Sequence, residues 1–222
     1  MITVEKLSFS YGKRKVLDEV SFEAGAGECI VLAGPNGSGQ STALSIIAGA
    51  LKASSGCVSI DGKVGYVPQG TALLEDATVE ENLKFFSALA GGSVPDKLPF
   101  SVEKYLSRRV ARLSGGMKKQ VSIACALIGD TQIILLDEPC AALDIAFRDE
   151  MISIIAEWKA QGKSVIYVGH DPMEFYSIYD RIVFLDKPVK IVVRDGTDNS
   201  DIRSEADFTQ FYKNTLSAIE RE

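Results

Sequence analysis

Apolar and polar positions alternate from the first residues. Ile2, Val4, Leu7 and Phe9 stand against Thr3, Lys6 and Ser8, which predicts a strand over 2–9 with one irregularity. Tyr11-Gly12-Lys13 turns the chain, 16–22 forms a second strand, and 25–27 turns it again. Residues 28–33 are, after Glu28, a continuous apolar run, the pattern of a strand buried on both faces. The period then lengthens. Leu44, Ile47, Ala48 and Leu51 recur at helical spacing and predict a helix over 41–50. Short strands are expected at 57–60 and 64–67. A helix over 78–90 has Thr78 as N-cap, Glu81 as capping-box partner and Gly91-Gly92-Ser93 as its end. Residues 91–112 show no period and carry Arg108-Arg109. Further helices are predicted at 117–128 and 145–160, the latter closed by Gly162, with strands at 133–136, 164–168 and 181–185. Past Asp195 the chain turns polar, then ends in an amphipathic helix bearing Phe208, Phe211, Tyr212 and Leu216. That aromatic stripe is expected to pack on its own domain.

Strand–helix alternation of this kind implies an α/β fold with a mostly parallel sheet covered on both faces. The length, 222 residues, fits one domain with a small subdomain. Hydrophobic residues make up 46%, enough for a core without staples. The net charge of −6 lacks the basic footprint of a nucleic-acid binder but allows a local phosphate site. Cys29, Cys57, Cys125 and Cys140 form no C-x-x-C pair and there is one histidine, so a zinc site is not expected. Three of the four cysteines sit in apolar runs, as small core residues in a reduced compartment do. The start of the chain lacks the shape of a signal peptide, and no apolar run reaches 18 residues. Any membrane role is expected to be peripheral, through a partner.

The candidate chemistry begins at Gly34-Pro35-Asn36-Gly37-Ser38-Gly39-Gln40-Ser41-Thr42, between a buried strand and a helix. Glycines there let backbone N–H groups curl around phosphate oxygens, and the helix start adds unpaired N–H groups and a positive dipole end. The Ser41 hydroxyl is placed to reach Mg²⁺. The pattern G-x-x-x-x-G-K-[ST] wants lysine where this chain has Gln40. Exchanging a charge-assisted hydrogen bond for a neutral one costs roughly 1–2 kcal/mol of binding, and more in a phosphoryl-transfer transition state. Taken alone, the segment also fits a glycine-rich turn with no ligand.

Asp137 and Glu138 end an apolar strand, suited to hold Mg²⁺ through water and to polarise an attacking water. By themselves they are an acidic turn. Leu113-Ser114-Gly115-Gly116-Met117 offers a hydroxyl and two glycine N–H groups at a helix start, a second anion site or an ordinary N-cap. Lys13-Arg14-Lys15 reads as a solvated hairpin tip; the alternative is that one of the three lends the charge Gln40 lacks.

The order of these segments resembles the ATP-binding domain of ABC transporters. Ser114–Gly116 resemble its signature, with Met117 where glutamine is commoner. Residues 34–42 resemble its Walker A loop, Gln69 its Q-loop glutamine, and Asp137 with Glu138 its Walker B pair. Ala141-Ala142-Leu143-Asp144 resembles the D-loop, His170 the switch histidine, and Tyr11 the aromatic that stacks on adenine. The match spans about 1–185. It implies a single nucleotide-binding domain over 1–222 with a P-loop NTPase-type sheet. An antiparallel β subdomain, a small helical subdomain at about 70–130 and a C-terminal tail from about 190 complete it. It further implies ATP and Mg²⁺ as cofactors, with Ser41, Gln69 and Asp137 around the metal, Glu138 polarising water and His170 on the γ-phosphate. ATP on 34–42 of one chain would meet 114–116 of a second nucleotide-binding domain, identical or not. A transmembrane permease subunit would dock from the inner face of the plasma membrane. The resemblance implies a transport-coupled ATPase weakened by Gln40, or a nearly silent ATP-binding subunit. ABC proteins of DNA repair or translation are disfavoured, since no coiled-coil insertion, tandem domain or basic surface is present.

Overall fold

The computed structural model describes residues 1–141, 143–185, 190–193, 202 and 204–219. β1 (Ile2–Tyr11), β2 (Arg14–Ala24) and β4 (Ser55–Ile60) form an antiparallel sheet in the order β2-β1-β4. The strand expected with one irregularity has more: its register with β2 shifts between Val4 and Leu7, between Leu7 and Phe9 and between Phe9 and Ser10, and Lys6 takes φ 46°. The second sheet runs β5 (Val64–Val67), β6 (Ile133–Asp137), β7 (Ser164–Val168), β3 (Cys29–Ala33), β8 (Arg181–Phe184) and β9 (Lys190–Val193). Its first five strands are parallel and β9 is antiparallel to β8. β9 has no counterpart in the sequence reading.

Every residue of β3, β6 and β7 is buried. Side chains alternate across the sheet, so each strand feeds two cores. Ile30, Leu32, Ile133, Leu135, Ile166 and Val168 face the antiparallel sheet and α1 (Gln40–Ile47). Val31, Ala33, Ile134, Leu136, Val165 and Tyr167 face the other helices. Those are α2 (Val79–Ala90), α3 (Gly115–Ala126), α4 (Ile145–Ala160), α5 (Pro172–Ile178) and α6 (Glu205–Ile219). The capping box forms as expected: the Glu81 N–H donates to Thr78 Oγ1 at 3.2 Å, and the Thr78 N–H to Glu81 Oε2 at 2.7 Å. The terminal stripe packs inward, with Phe208 and Tyr212 buried and Phe208 stacked 5.0 Å from Tyr179.

Two helices differ from expectation. α1 stops at Ile47, because Gly49 takes a left-handed φ of 76°. α3 starts two residues early, so Gly115 and Gly116 lie inside its first turn. Residues 91–112 contain two 3₁₀ segments, Pro99–Tyr105 and Val110–Arg112. Among the described residues no helix is long and apolar enough to cross a membrane.

Candidate functional site

β3 delivers the chain to a loop that bends sharply before α1. Gly37 and Gly39 take φ of 84° and 101°, and the Ser38 N–H donates to Pro35 O at 3.0 Å. A Cβ on Gly39 would lie 2.7 Å from Leu17 Cδ2, and one on Gly34 2.4 Å from Ser38 Oγ. Only glycine permits this closeness. α1 has no side-chain cap, so its first N–H groups remain unspent at the positive end of the helix. Ser38 Oγ is buried without a hydrogen-bond partner among the described residues. A cradle that a Cβ would fill, ringed by unspent donors, fits a phosphate chain.

Tyr11, Gly37, Gly39, Gln40, Ser41 and Thr42 line one cavity of about 370 Å³, together with Arg14 and Val16. Tyr11 is exposed there, its ring edge-on to Phe9 at 4.9 Å. Pro35 and Ser38 lie on a neighbouring cavity, and Asn36 is exposed at the loop tip. Gln40 is buried, and its side-chain amide donates to Gly34 O at 2.8 Å. The amide therefore closes the loop on itself.

Ser41 Oγ donates to Asp137 Oδ1 at 2.9 Å. Burial pushes the Asp137 carboxyl up, helped by Glu138 and opposed by the Ser41 hydroxyl, Lys119 and His170. Hydroxyl plus carboxylate suits a hard cation that also takes phosphate oxygens. No three His, Cys, Asp or Glu among the described residues converge to hold a metal by themselves. Such an ion would therefore need the phosphates. The next residue, Glu138, takes φ 48°, a strained conformation for a side-chain-bearing residue. Its N–H is fixed by Val168 O at 2.9 Å, and His170 Nε2 lies 3.2 Å from Glu138 Oε1. The pair lines a cavity of its own, one residue along β6 from the Ser41–Asp137 contact, and a carboxylate beside an imidazole can orient and polarise a water.

The other expected residues stand apart. Gln69 is exposed, with no side-chain hydrogen bond among the described residues. Ser114 caps α3, accepting from the Met117 N–H at 3.3 Å, and neither it nor Gly115 and Gly116 line the cavity. Asp144 caps α4, accepting from the Phe147 N–H at 2.8 Å. Ala142 lies outside the described residues. Two contributors escaped the sequence reading. Lys119 is buried and donates to Pro68 O and Gln69 O, both at 2.9 Å, fixing the Gln69 backbone from α3. Arg148 of α4 pairs with Asp171 at 2.8 Å and Glu174 at 3.0 Å, and Tyr167 donates to Glu174 at 2.7 Å. This network clamps the segment carrying His170. Lys119 stands four residues before the apolar Ile123, on one helix face, and that was the available signal for the first; the second had none.

Comparison with known proteins agrees with this geometry. Residues 17–141 match the family model described as ABC transporter. An uncharacterized ABC transporter ATP-binding protein of Methanocaldococcus jannaschii is 35% identical over 195 residues, 84% of this chain and 74% of the relative. The Nod factor export ATP-binding protein I of Paraburkholderia xenovorans is 33% identical, covering 92% of this chain and 73% of the relative. Among solved structures, one described as the ATP-binding subunit of an ABC transporter superposes with TM-score 0.84 at 28% identity. It covers 98% of this chain and 99% of that one. A dimeric ATP-binding cassette in a post-hydrolysis state, bound to ADP and Pi, gives TM-score 0.72 at 25% identity. It covers 88% of this chain and 100% of that one. The cradle, the sheet that carries it and these likenesses agree: the chain belongs to the ABC transporter ATP-binding family and has its P-loop ATPase fold.

Proposed function

We propose that this chain is the ATP-binding subunit that drives a separate membrane permease, and that two such domains close head to tail over ATP. The observation that carries it is a chain of contacts: the glycine cradle runs into Ser41, Ser41 Oγ bonds Asp137, and Glu138, the next residue, lies 3.2 Å from His170. The cradle binds the phosphates, and Tyr11 lies beside it to stack on adenine. Ser41 and Asp137 hold Mg²⁺, with Gln69 joining as the domains close; the ion would neutralise developing charge on the phosphates. Glu138 polarises the water and His170 contacts the γ-phosphate. Ser114, Gly115 and Gly116 are exposed or half-exposed and complete the site of the partner copy, with the Asp144 loop alongside. The permease docks on the helical subdomain at about 70–130, from the cytoplasmic face of the membrane.

Gln40 limits the rate. Its amide is turned onto Gly34 O and carries no charge, so the transition state lacks a cation at that point. Turnover is expected to be slow but measurable. Glu138→Gln should lower it by about 10²–10⁴-fold while ATP binding persists. Gln40→Lys should raise it by about tenfold. The buried Gln40 amide also favours a second reading, a subunit that closes on ATP with almost no turnover, beside an active relative. Phosphate release from the purified chain and both variants decides. Turnover that neither variant changes would leave the silent subunit standing.

A further inference from the structure

The β1–β2 hairpin ends in a two-residue turn, Gly12-Lys13, with Gly12 at φ 58° in the first turn position. The turn sets which basic side chain goes where. Tyr11 and Arg14 are directly paired across the hairpin, so their side chains share a face. Val16, left unpaired by a register shift, lines the same cavity as Tyr11 and Arg14. That face covers the phosphate cradle. The Arg14 guanidinium comes within 3.2 Å of where a Cβ on Gly37 would lie. Lys15 is on the opposite face and is ion-paired with Asp18.

Arg14 alone is charged among the described residues lining the cavity. No ion pair engages it among those residues. The Gln40 amide, which stands where a cation would be expected, is spent on Gly34 O. The cavity thus has an anion cradle below and one free guanidinium above. We infer that Arg14 supplies from the hairpin the positive charge that residue 40 does not, and grips the phosphate chain of a nucleoside triphosphate held on 34–42. This rests on the nucleotide reading of the cradle. Guanidinium is suited to the task, because it stays charged and offers several donors in a fixed fork. It reaches the phosphates from the mouth, so it serves binding more than the transition state.

The test is calorimetric titration of the full chain with ATP and with ADP, in chelator so that no turnover occurs. Arg14→Gln should weaken ATP by about tenfold, whereas Arg14→Lys, which keeps the charge, should stay within about threefold. Added salt should weaken the wild type more than Arg14→Gln. Gln40→Lys should gain less than about threefold in the wild type but about tenfold on top of Arg14→Gln, because one cation then replaces the other. Arg14 is exposed, so melting curves without nucleotide should coincide for the wild type and both Arg14 variants. Equal ATP affinity in Arg14→Gln and the wild type would overturn the assignment alone, as would an equal gain from Gln40→Lys in both backgrounds. Failure of every variant, including Gln40→Lys, to bind ATP would overturn the nucleotide reading and Arg14 with it.

Discussion

α1 and α3 both begin on glycine-rich sequence, and their surroundings are opposite. At the start of α1 a Cβ on Gly39 would crowd Leu17 at 2.7 Å and Val16 at 2.9 Å. At the start of α3 a Cβ on Gly115 would meet nothing within 4 Å, and one on Gly116 only Leu143 at 3.4 Å. The Ser114 hydroxyl already caps that helix. Gly39 is demanded by this chain's own packing. Gly115 and Gly116 are not, so any need for bare backbone there would come from outside the chain. The head-to-tail closure proposed above brings such a surface, a triphosphate on the partner copy.

Gly39→Ala should give the largest effect. It forces a left-handed φ on alanine and drives a methyl into Leu17, together about 2–5 kcal/mol of stability. Urea denaturation should show that loss, and ATP binding should vanish with the cradle. A variant as stable as the wild type, with full affinity, would mean that close packing is not what holds the loop.

Gly115→Ala should do the reverse. Alanine is the better helix former, so stability should hold or rise by up to about 1 kcal/mol. The methyl would then obstruct the approaching phosphate. In a Glu138→Gln background, the ATP-dependent dimer should weaken by about 1–3 kcal/mol, read by light scattering against concentration. Normal dimerisation would reduce Gly115 to a plain helix start and erase the contrast.

Locally determined features were legible in the sequence. The strand–loop–helix of 28–47, the capping box at Thr78 and the whole of α4 depend on neighbours a few residues away. What could not be read depends on distant contacts. The segment 91–112 is pinned by bonds such as the Val79 N–H to Arg108 O and the Val110 N–H to Ala77 O, which periodicity cannot display. The presence of Gln40 was plain, but its rotation onto Gly34 O was not. Arg14 stood in a run of three cations, and only the hairpin register separates it from Lys13 and Lys15. Ser114 and Gly115 were identified by order along the chain, yet in the single chain Ser114 only caps α3 and Gly115 meets nothing.

Lys119 ties the start of α3 to the Gln69 loop, and removing it should produce the smallest effect. It rises from the first turns of α3 and grips the carbonyls of Pro68 and Gln69, the residues that follow β5. Lys119→Met loses two charge-assisted hydrogen bonds of about 1.5–3 kcal/mol each, but also the cost of burying an ammonium, several kcal/mol. Net stability at neutral pH should therefore move by no more than about 1–2 kcal/mol. Burial lowers the lysine's pKa below 10.5, against the opposing pull of Asp137, Glu138 and Cys140. The folded chain then binds fewer protons here than the unfolded chain, so the burial cost is complete below the folded pKa and fades as pH rises toward 10.5. As pH rises toward 10.5 the wild type should gain stability relative to Lys119→Met, since titrations not coupled to Lys119 cancel in the difference. Amide exchange at Gln69 and Gly70 should quicken in the variant, because their backbone has lost its anchor. Parallel pH curves with unchanged exchange would show that α3 and the Gln69 loop move independently, and the two sides of the site would then be coupled only through nucleotide.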